Sequence, residues 1–314
     1  MRILVDYRPA LRERTGVGEF VHELARALCA PTTPPSADEI VLFSSSWKDR
    51  PAPTPAFEMP AARIVDRYVP VRALLWSWNR LEWPPVEWLA GDCDVVHSQS
   101  PMLIPARRAA QVVTIHDLDF LKHPEQMTAE VRRDYPRLAR PHATRADAVI
   151  VSSHYAAGEV TRELGLATDR VHICAPGAPS WASDVIRRRA GSRGQRILFV
   201  GTLSASYADA RMLVLPSYEE GFGLPVLEAM ACGIPVVVSS RGSLPEVAGA
   251  AAAPVDPDDV EGLAARMTAR LDDQPAERAA RLGLEQAARY NWPACARAAR
   301  AAYGAAIQVH ANRG

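Results

Sequence analysis

The sequence is almost without lysine: of its 36 basic residues only Lys48 and Lys122 are lysines, none follows Lys122, and the rest are arginines. The 36 acidic residues cancel them to a formal net charge of zero, so no long-range field draws the chain to nucleic acid. A non-specific DNA binder is therefore excluded. Cysteine is scarce as well. Cys29, Cys93, Cys174, Cys232 and Cys295 are odd in number, lie far apart and form no CxxC or Cys/His cluster, which excludes a disulfide scaffold and a zinc module. There is no run of 18 apolar residues, and Met1 leads into Ile3-Leu4-Val5 with no apolar leader region. The expected location is the cytoplasm, with peripheral contact at the inner membrane face left open.

What is present is alternation. Short Val-, Ile- or Leu-rich runs at 3–6, 40–43, 62–65, 94–97, 112–116, 148–152 and 171–174 are separated by helical stretches, the pattern of βα units and parallel sheets. An amphipathic helix is predicted over 18–30, with Phe20, Val21, Leu24, Ala27 and Leu28 on one face. A second series begins at 196–200 and continues at 212–215, 235–238 and 253–255 before Ala/Arg-rich helices. The polar stretch near 187–195 marks a restart between two domains, the number expected for 314 residues. One connection is short. A crossover between parallel strands needs about a dozen residues or more, usually with a helix, and residues 201–211 do not readily supply one. Either the strands on its two sides are not parallel neighbours or a segment is missing.

The most informative stretch is Leu215-Pro-Ser-Tyr-Glu-Glu-Gly-Phe-Gly-Leu-Pro-Val-Leu-Glu-Ala-Met-Ala-Cys-Gly-Ile-Pro-Val-Val-Val238. It reads as strand, glycine loop, helix opened by Leu224-Pro225, glycine stop and strand. Gly221 and Gly223 let backbone amides approach a ligand, and the helix start favours an anion such as a diphosphate. Glu220 and Glu228 form a Glu-x7-Glu pair suited to accepting hydrogen bonds from sugar hydroxyls. The stretch resembles the donor-site motif of family-4 retaining glycosyltransferases of the GT-B fold. The resemblance implies that Glu220 and the Gly221-Phe222-Gly223-Leu224 loop hold the donor sugar and that Glu228 binds the ribose. Further matches spread over most of the chain. Thr15-Gly-Val-Gly18 resembles the family's N-terminal glycine loop, with Gly16 contacting the donor phosphates, and Gly201 opens the corresponding loop of the second domain. The run from Gln111 to Glu125 resembles the acceptor-side motif, which implies that His116 faces the donor sugar across a cleft.

Three other patterns carry less. Asp117-Leu-Asp119 fits an Asp-x-Asp metal motif, yet Asp92-Cys-Asp94 and Asp256-Pro-Asp258 fit it equally. Nothing fixes a metal geometry for His116, Asp117, Asp119 and His123, so no metal site is expected there. Trp76, Trp78, Trp83 and Trp88 fall in one segment, for which core or interdomain packing is the default and a platform for a lipid-linked or sugar acceptor the sharper alternative. Arg132, Arg133, Arg137 and Arg140 read as a solvated face, with membrane docking as the lesser alternative.

The chain departs from the family at one place. Members carry an arginine and a lysine beyond the first strand of the second domain that neutralise the donor diphosphate; here Gly201-Thr-Leu203 passes at once into Ser204-Ala-Ser206, a loss of roughly 70 to 100 residues, several βα units. Removing such a preorganised cation typically costs about 10² to 10³ in rate. The expectation is thus an α/β protein of GT-B type, two Rossmann-like domains facing a cleft with the second abbreviated. The first spans 1–180, a linker 181–195, the donor domain 196–290, and a helix over 291–314 is read as crossing back. The shortened sheet is expected to leave apolar faces open at 197–200 and 236–238. Two functions stay open. One is retaining transfer of a hexose, mannose or glucose type, from a nucleotide sugar to a glycan or lipid-linked acceptor, by front-face chemistry with no essential metal or other cofactor. The other is a non-catalytic descendant acting as a binding module, or a defective truncated product. Nucleic acid is not an expected partner, and the sequence does not fix an oligomeric state.

Overall fold

The computed structural model describes residues 1–11, 16–31, 37–47, 58–189, 196–199 and 204–313. The chain forms two compact units: Met1–Ser152 with Ala157–Cys174 and Cys295–Gly314, and Ser153–Ala156 with Ala175–Ala294. The first is built on a parallel seven-stranded sheet of β1 (Arg2–Asp6), β2 (Glu39–Ser45), β3 (Arg63–Arg67), β4 (Val95–Ser98), β5 (Ala110–Thr114), β6 (Ala148–Val151) and β7 (Val171–Ile173), in the order β3-β2-β1-β4-β5-β6-β7. Because β1 is followed to one side by β2 and on the other by β4, the winding reverses between β1 and β4. The carboxyl ends of those strands are where such a sheet opens a crevice for ligands. Ile3, Leu4 and Val5 are completely buried, as a strand covered on both faces requires.

The helix Val17–Cys29 covers this region with Phe20, Val21, Leu24 and Leu28 inward as predicted, whereas Ala27 is half-buried and His22 and Glu23 are buried beside the apolar stripe. The tryptophan segment divides. Trp78, on the helix Val71–Leu81, packs into a core with Leu4, Val41, Phe43 and Val96, but Trp76, Trp83 and Trp88 stand at the surface. Core packing accounts for only one of the four. Arg132, Arg133, Arg137 and Arg140 are exposed on the helix Ala129–Arg145.

The second unit carries a parallel sheet in the order β10-β9-β8, from β8 (Arg196–Phe199), β9 (Ala210–Leu215) and β10 (Val236–Val238). The run at 253–255 contributes only an isolated bridge, Ser239 to Val255. The stretch read as a linker, 181–195, holds the helix Ala182–Arg189. β8 and β9 are parallel neighbours joined through only residues 200–209, so the short connection does make the crossover. It does so with a single helical turn, Ser204–Ala208. Arg189 gathers the carbonyls of Tyr207, Ala208 and Ala210 at 3.0, 3.4 and 2.6 Å, and Tyr207 is driven fully into the core, stacked on Trp181 at 5.6 Å.

The expected open faces are partly closed. β9 alternates: Leu213 and Leu215 join Val226, Leu227 and Met230 of the helix Leu224–Ala231 on one side, while Met212 and Val214 meet Leu263 and Met267 of the helix Val260–Ala269 on the other. Val236, Val237 and Val238 are buried between the same layers, which corrects the expectation of an uncovered strand; of the two runs, Ile197 on β8 is exposed. No helix among the described residues is long and apolar enough to cross a membrane.

Candidate functional site

In the second unit the chain leaves β9 at Leu215, turns through 216–223 and enters the helix at Leu224. Glu220 is fixed at both levels. Its side-chain Oε1 accepts a hydrogen bond from Ser217 Oγ at 3.0 Å, and its carbonyl accepts from Ser243 N at 3.0 Å and Ser243 Oγ at 2.9 Å. Gly242, at φ 63°, lets the two turns touch: a Cβ there would lie 2.7 Å from Glu220 N and 2.9 Å from Glu220 O. Gly221 offers its carbonyl to Ser153 Oγ at 2.7 Å, and Phe222 packs edge-on against Tyr290 at 5.6 Å. Gly223 caps the helix at φ 89°, where a Cβ would meet Leu244 Cδ2 at 2.5 Å. Since Pro225 has no N–H, the amides at this helix start come from Gly223 and Leu224 before the bonds from Val226 and Leu227 to Gly223 O begin.

Glu228 is one turn further on and differs in setting. It is 9% exposed, and its Oε2 accepts from Tyr207 Oη at 2.7 Å. The carboxylate expected to face a ribose therefore already has a tyrosine hydroxyl on it, supplied by the shortened crossover. Burial, followed by the adjacent Glu228 charge, pushes the Tyr207 phenol far up, so it remains the donor. Sequence reasoning missed Tyr207, since one tyrosine in Ser-Ala-Ser-Tyr-Ala-Asp carries no pattern. Glu246, in the Ser243-Leu-Pro-Glu-Val stretch that also resembles the family's second domain, carries no sequence signal for its role: its carboxylate accepts from His154 N at 3.0 Å and Tyr155 N at 3.1 Å at the start of the helix His154–Leu164. Arg241 is paired with Asp256 at 2.9 Å.

In the first unit the candidate residues gather at the carboxyl ends of β1, β4 and β5. His116 follows β5 and meets Phe20 edge-on at 5.1 Å; Phe20 lies one turn after Gly16, which caps the helix Val17–Cys29 at φ 54° with no side-chain cap. The structure thus brings Gly16 and His116 into one neighbourhood. His116 Nε2 is shut off from solvent and has no partner among the described residues, and burial pushes the imidazole down to about 4. Neighbouring His97 is fully buried; Tyr303 Oη at 2.8 Å and Gln99 Nε2 at 3.1 Å both donate to its Nδ1, so its proton sits on Nε2 and is donated to Thr114 Oγ1 at 2.7 Å. Burial, with His116 nearby, lowers His97 to about 3. At the end of β1, Asp6 holds Arg8 through two bonds of 2.7 and 2.8 Å. Gly201 lies outside the described residues. No three His, Cys, Asp or Glu side chains converge as a metal site among the described residues.

The two imidazoles have a consequence for acid stability. Both folded values lie below the unfolded value near 6.5, so below about pH 6.5 the unfolded chain binds protons that the folded chain refuses. Their stabilisation is complete above that pH and is lost as pH falls toward the folded values, by up to about 1.4 kcal/mol per pH unit for each. Urea denaturation at about pH 7 and about pH 5 is expected to show a smaller acid loss in His116→Gln than in the parent, by about 2 kcal/mol. Equal losses would contradict it.

Comparison with known proteins places this geometry. Sucrose-phosphate synthase from Thermosynechococcus elongatus superposes with a TM-score of 0.69 at 18% identity over 97% of this chain and 98% of that one. Anabaena Alr3699/HepE, solved in complex with UDP and glucose, gives 0.60 at 15% identity over 96% and 98%. The fold is α/β of the GT-B glycosyltransferase kind. The profile described as Glycosyltransferase Family 4 matches residues 14–179, that described as Glycosyl transferases group 1 matches residues 142–273, and the chain belongs to Glycosyltransferase Family 4. O-antigen chain mannosyltransferase B of Escherichia coli is 42% identical over 134 residues, 40% of this chain and 35% of that protein. The match thus spans about a third of the length of that curated relative.

Proposed function

We propose that this chain takes a nucleotide sugar as donor and transfers its hexose, of mannose or glucose type, with retention to a hydroxyl of a glycan or lipid-linked glycan. The observation that carries the reading is the 215–224 loop. Glu220 is pinned through its backbone by Ser243 and through its carboxylate by Ser217, which preorganises that carboxylate beside a glycine-lined helix start. In the second unit Glu220 and the amides of 221–224 are the donor-binding groups of this reading. In the first unit they are His116, a neutral imidazole whose buried Nε2 has no partner among the described residues, and the helix start at Gly16, which has no side-chain cap. In this reading leaving-group charge is met by the backbone amides of the glycine loop, with no essential metal and no other cofactor, and nucleic acid is not a partner. Support for the sugar comes from the mannosyltransferase relative, and support for the donor class from the neighbour solved with UDP and glucose. In this reading the chain works in the cytoplasm, in peripheral contact with the inner membrane face when the acceptor is lipid-linked.

One observation favours the second reading, a non-catalytic descendant: the Tyr207 hydroxyl already donates to Glu228 Oε2. The two are separated by assaying release of hexose from GDP-mannose and UDP-glucose, with and without a glycan acceptor. Slow turnover that Glu220→Gln lowers by about 100-fold supports transfer. Turnover unchanged by Glu220→Gln, or none with either donor, rejects it.

A further inference from the structure

At the amino ends of β4, β5 and β6, the opposite end of the first unit's sheet from Gly16 and His116, the surface opens into a pocket of about 390 Å³. That volume is within the range of small-molecule sites. Its walls are aromatic. Trp83 and Trp88, 54% and 59% exposed, meet edge to face with ring centres 6.0 Å apart and planes at 87°. Glu82 and Arg145 form one rim through two bonds of 2.6 and 2.9 Å, a pair whose charges cancel. Glu82 is the one non-glycine residue with a left-handed backbone among the described residues, at φ 48°, where it caps the helix Val71–Leu81. Deeper in, His142 is 5% exposed and its Nδ1 accepts from Leu103 N at 3.0 Å, which leaves the proton on Nε2 with no partner among the described residues. Gln111 donates its amide to Ile104 O at 2.8 Å and leaves its side-chain oxygen unpartnered in the same sense.

We infer that this pocket binds a neutral saccharide unit, at a place separate from Gly16 and His116. A pyranose ring has a face of C–H groups, which packs on an indole, and an edge of hydroxyls, each both donor and acceptor, which the carboxylate, guanidinium, imidazole N–H and amide oxygen can satisfy. An alkyl chain would cover the indoles but leave the His142 donor and the Gln111 acceptor desolvated and unpaired. A phosphate would meet the Glu82 carboxylate. A nucleobase is flat and stacks best between parallel faces, and two indoles at right angles form a corner instead. The inference does not depend on hexose transfer, since a saccharide held here is bound whether or not the chain reacts with a nucleotide sugar.

The test is calorimetric titration of the full chain with mannotriose, maltotriose and uridine, alongside Trp88→Ala and Trp76→Ala. Trp76 is equally exposed and lies outside the pocket, so it controls for loss of a surface indole. Saturable millimolar binding of either trisaccharide is expected, weakened roughly fivefold to tenfold by Trp88→Ala and unchanged by Trp76→Ala. Both positions are on the surface, and matching circular dichroism shows that the variants are folded. Absence of saccharide binding, tighter binding of uridine than of either sugar, or binding that Trp88→Ala does not move would each overturn the inference. The last outcome would put the sugar elsewhere on the chain.

Discussion

Tyr207→Ala is expected to destabilise the second unit by about 4 kcal/mol, a large part of what a domain of this size has. The ring is fully buried and stacked on Trp181 within the core that Val185 and Leu227 share, so truncation leaves a cavity there. The variant also strips a hydroxyl donor from the nearly buried Glu228 carboxylate. Tyr207→Phe keeps the ring and removes only that donor, and its expected cost is smaller, about 1 to 3 kcal/mol. Segment-resolved hydrogen exchange checks both, because it reports the units separately: protection over 204–215 and 224–238 is expected to fall in the order parent, Phe, Ala. Equal protection in parent and Ala would show that Tyr207 does not hold this sheet together.

Gly242→Ala is the second large expected effect, about 2 to 4 kcal/mol. A side chain at φ 63° is strained by itself, and the new methyl would press on the backbone nitrogen and oxygen of Glu220, which cannot swing away as a flexible side chain would. The damage is therefore directed at the candidate donor loop. Loss of protection over 216–223, together with lower turnover in any variant that still folds, is the expected result. Gly304→Ala is the matched control, because the Cβ there meets nothing within 4 Å and the residue lies inside the helix Trp292–Ala311; a gain of about 0.5 to 1 kcal/mol is expected. If Gly242→Ala proves as benign as Gly304→Ala, the contact between the 239–243 turn and Glu220 is not structural.

The two halves of the sequence were not equally readable. The first half's strands appear within a residue or two of the predicted runs, because a strand covered on both faces must be nearly continuous in Val, Ile and Leu, and that is a local signal. The donor loop was readable for the same reason: glycines, Pro225 and two glutamates at fixed offsets specify strand, turn and helix within one short stretch. What escaped was long-range. Nothing near His97 announces Tyr303, 206 residues later, and nothing near Tyr207 announces Glu228. Of the two alternatives for the short crossover, the parallel pairing of β8 and β9 removes the one in which they are not neighbours, and Arg189 and Tyr207, which hold the short connection, give no local signal in the sequence. The tryptophans were misjudged because a helix with Trp78 inward must turn Trp76 outward, and composition does not say which face is which.

The last turns of the chain belong to the first unit, and this bears on how the protein is made. Tyr303 hydrogen-bonds His97 beneath β4, Arg300 holds Asp38 at 2.9 Å and Leu28 O at 2.7 Å, and His310 and Arg313 both reach Asp147 at 3.1 Å. During synthesis the ribosome emits every strand of the seven-stranded sheet long before these partners exist. In that interval His97 and Asp147, both buried in the finished unit, wait without them. The second unit, all of whose residues emerge before 295, is free to fold first. The first unit is then complete only after the second has emerged, and a ribosome stalled before residue 295 would hold a first unit that lacks Arg300, Tyr303, His310 and Arg313.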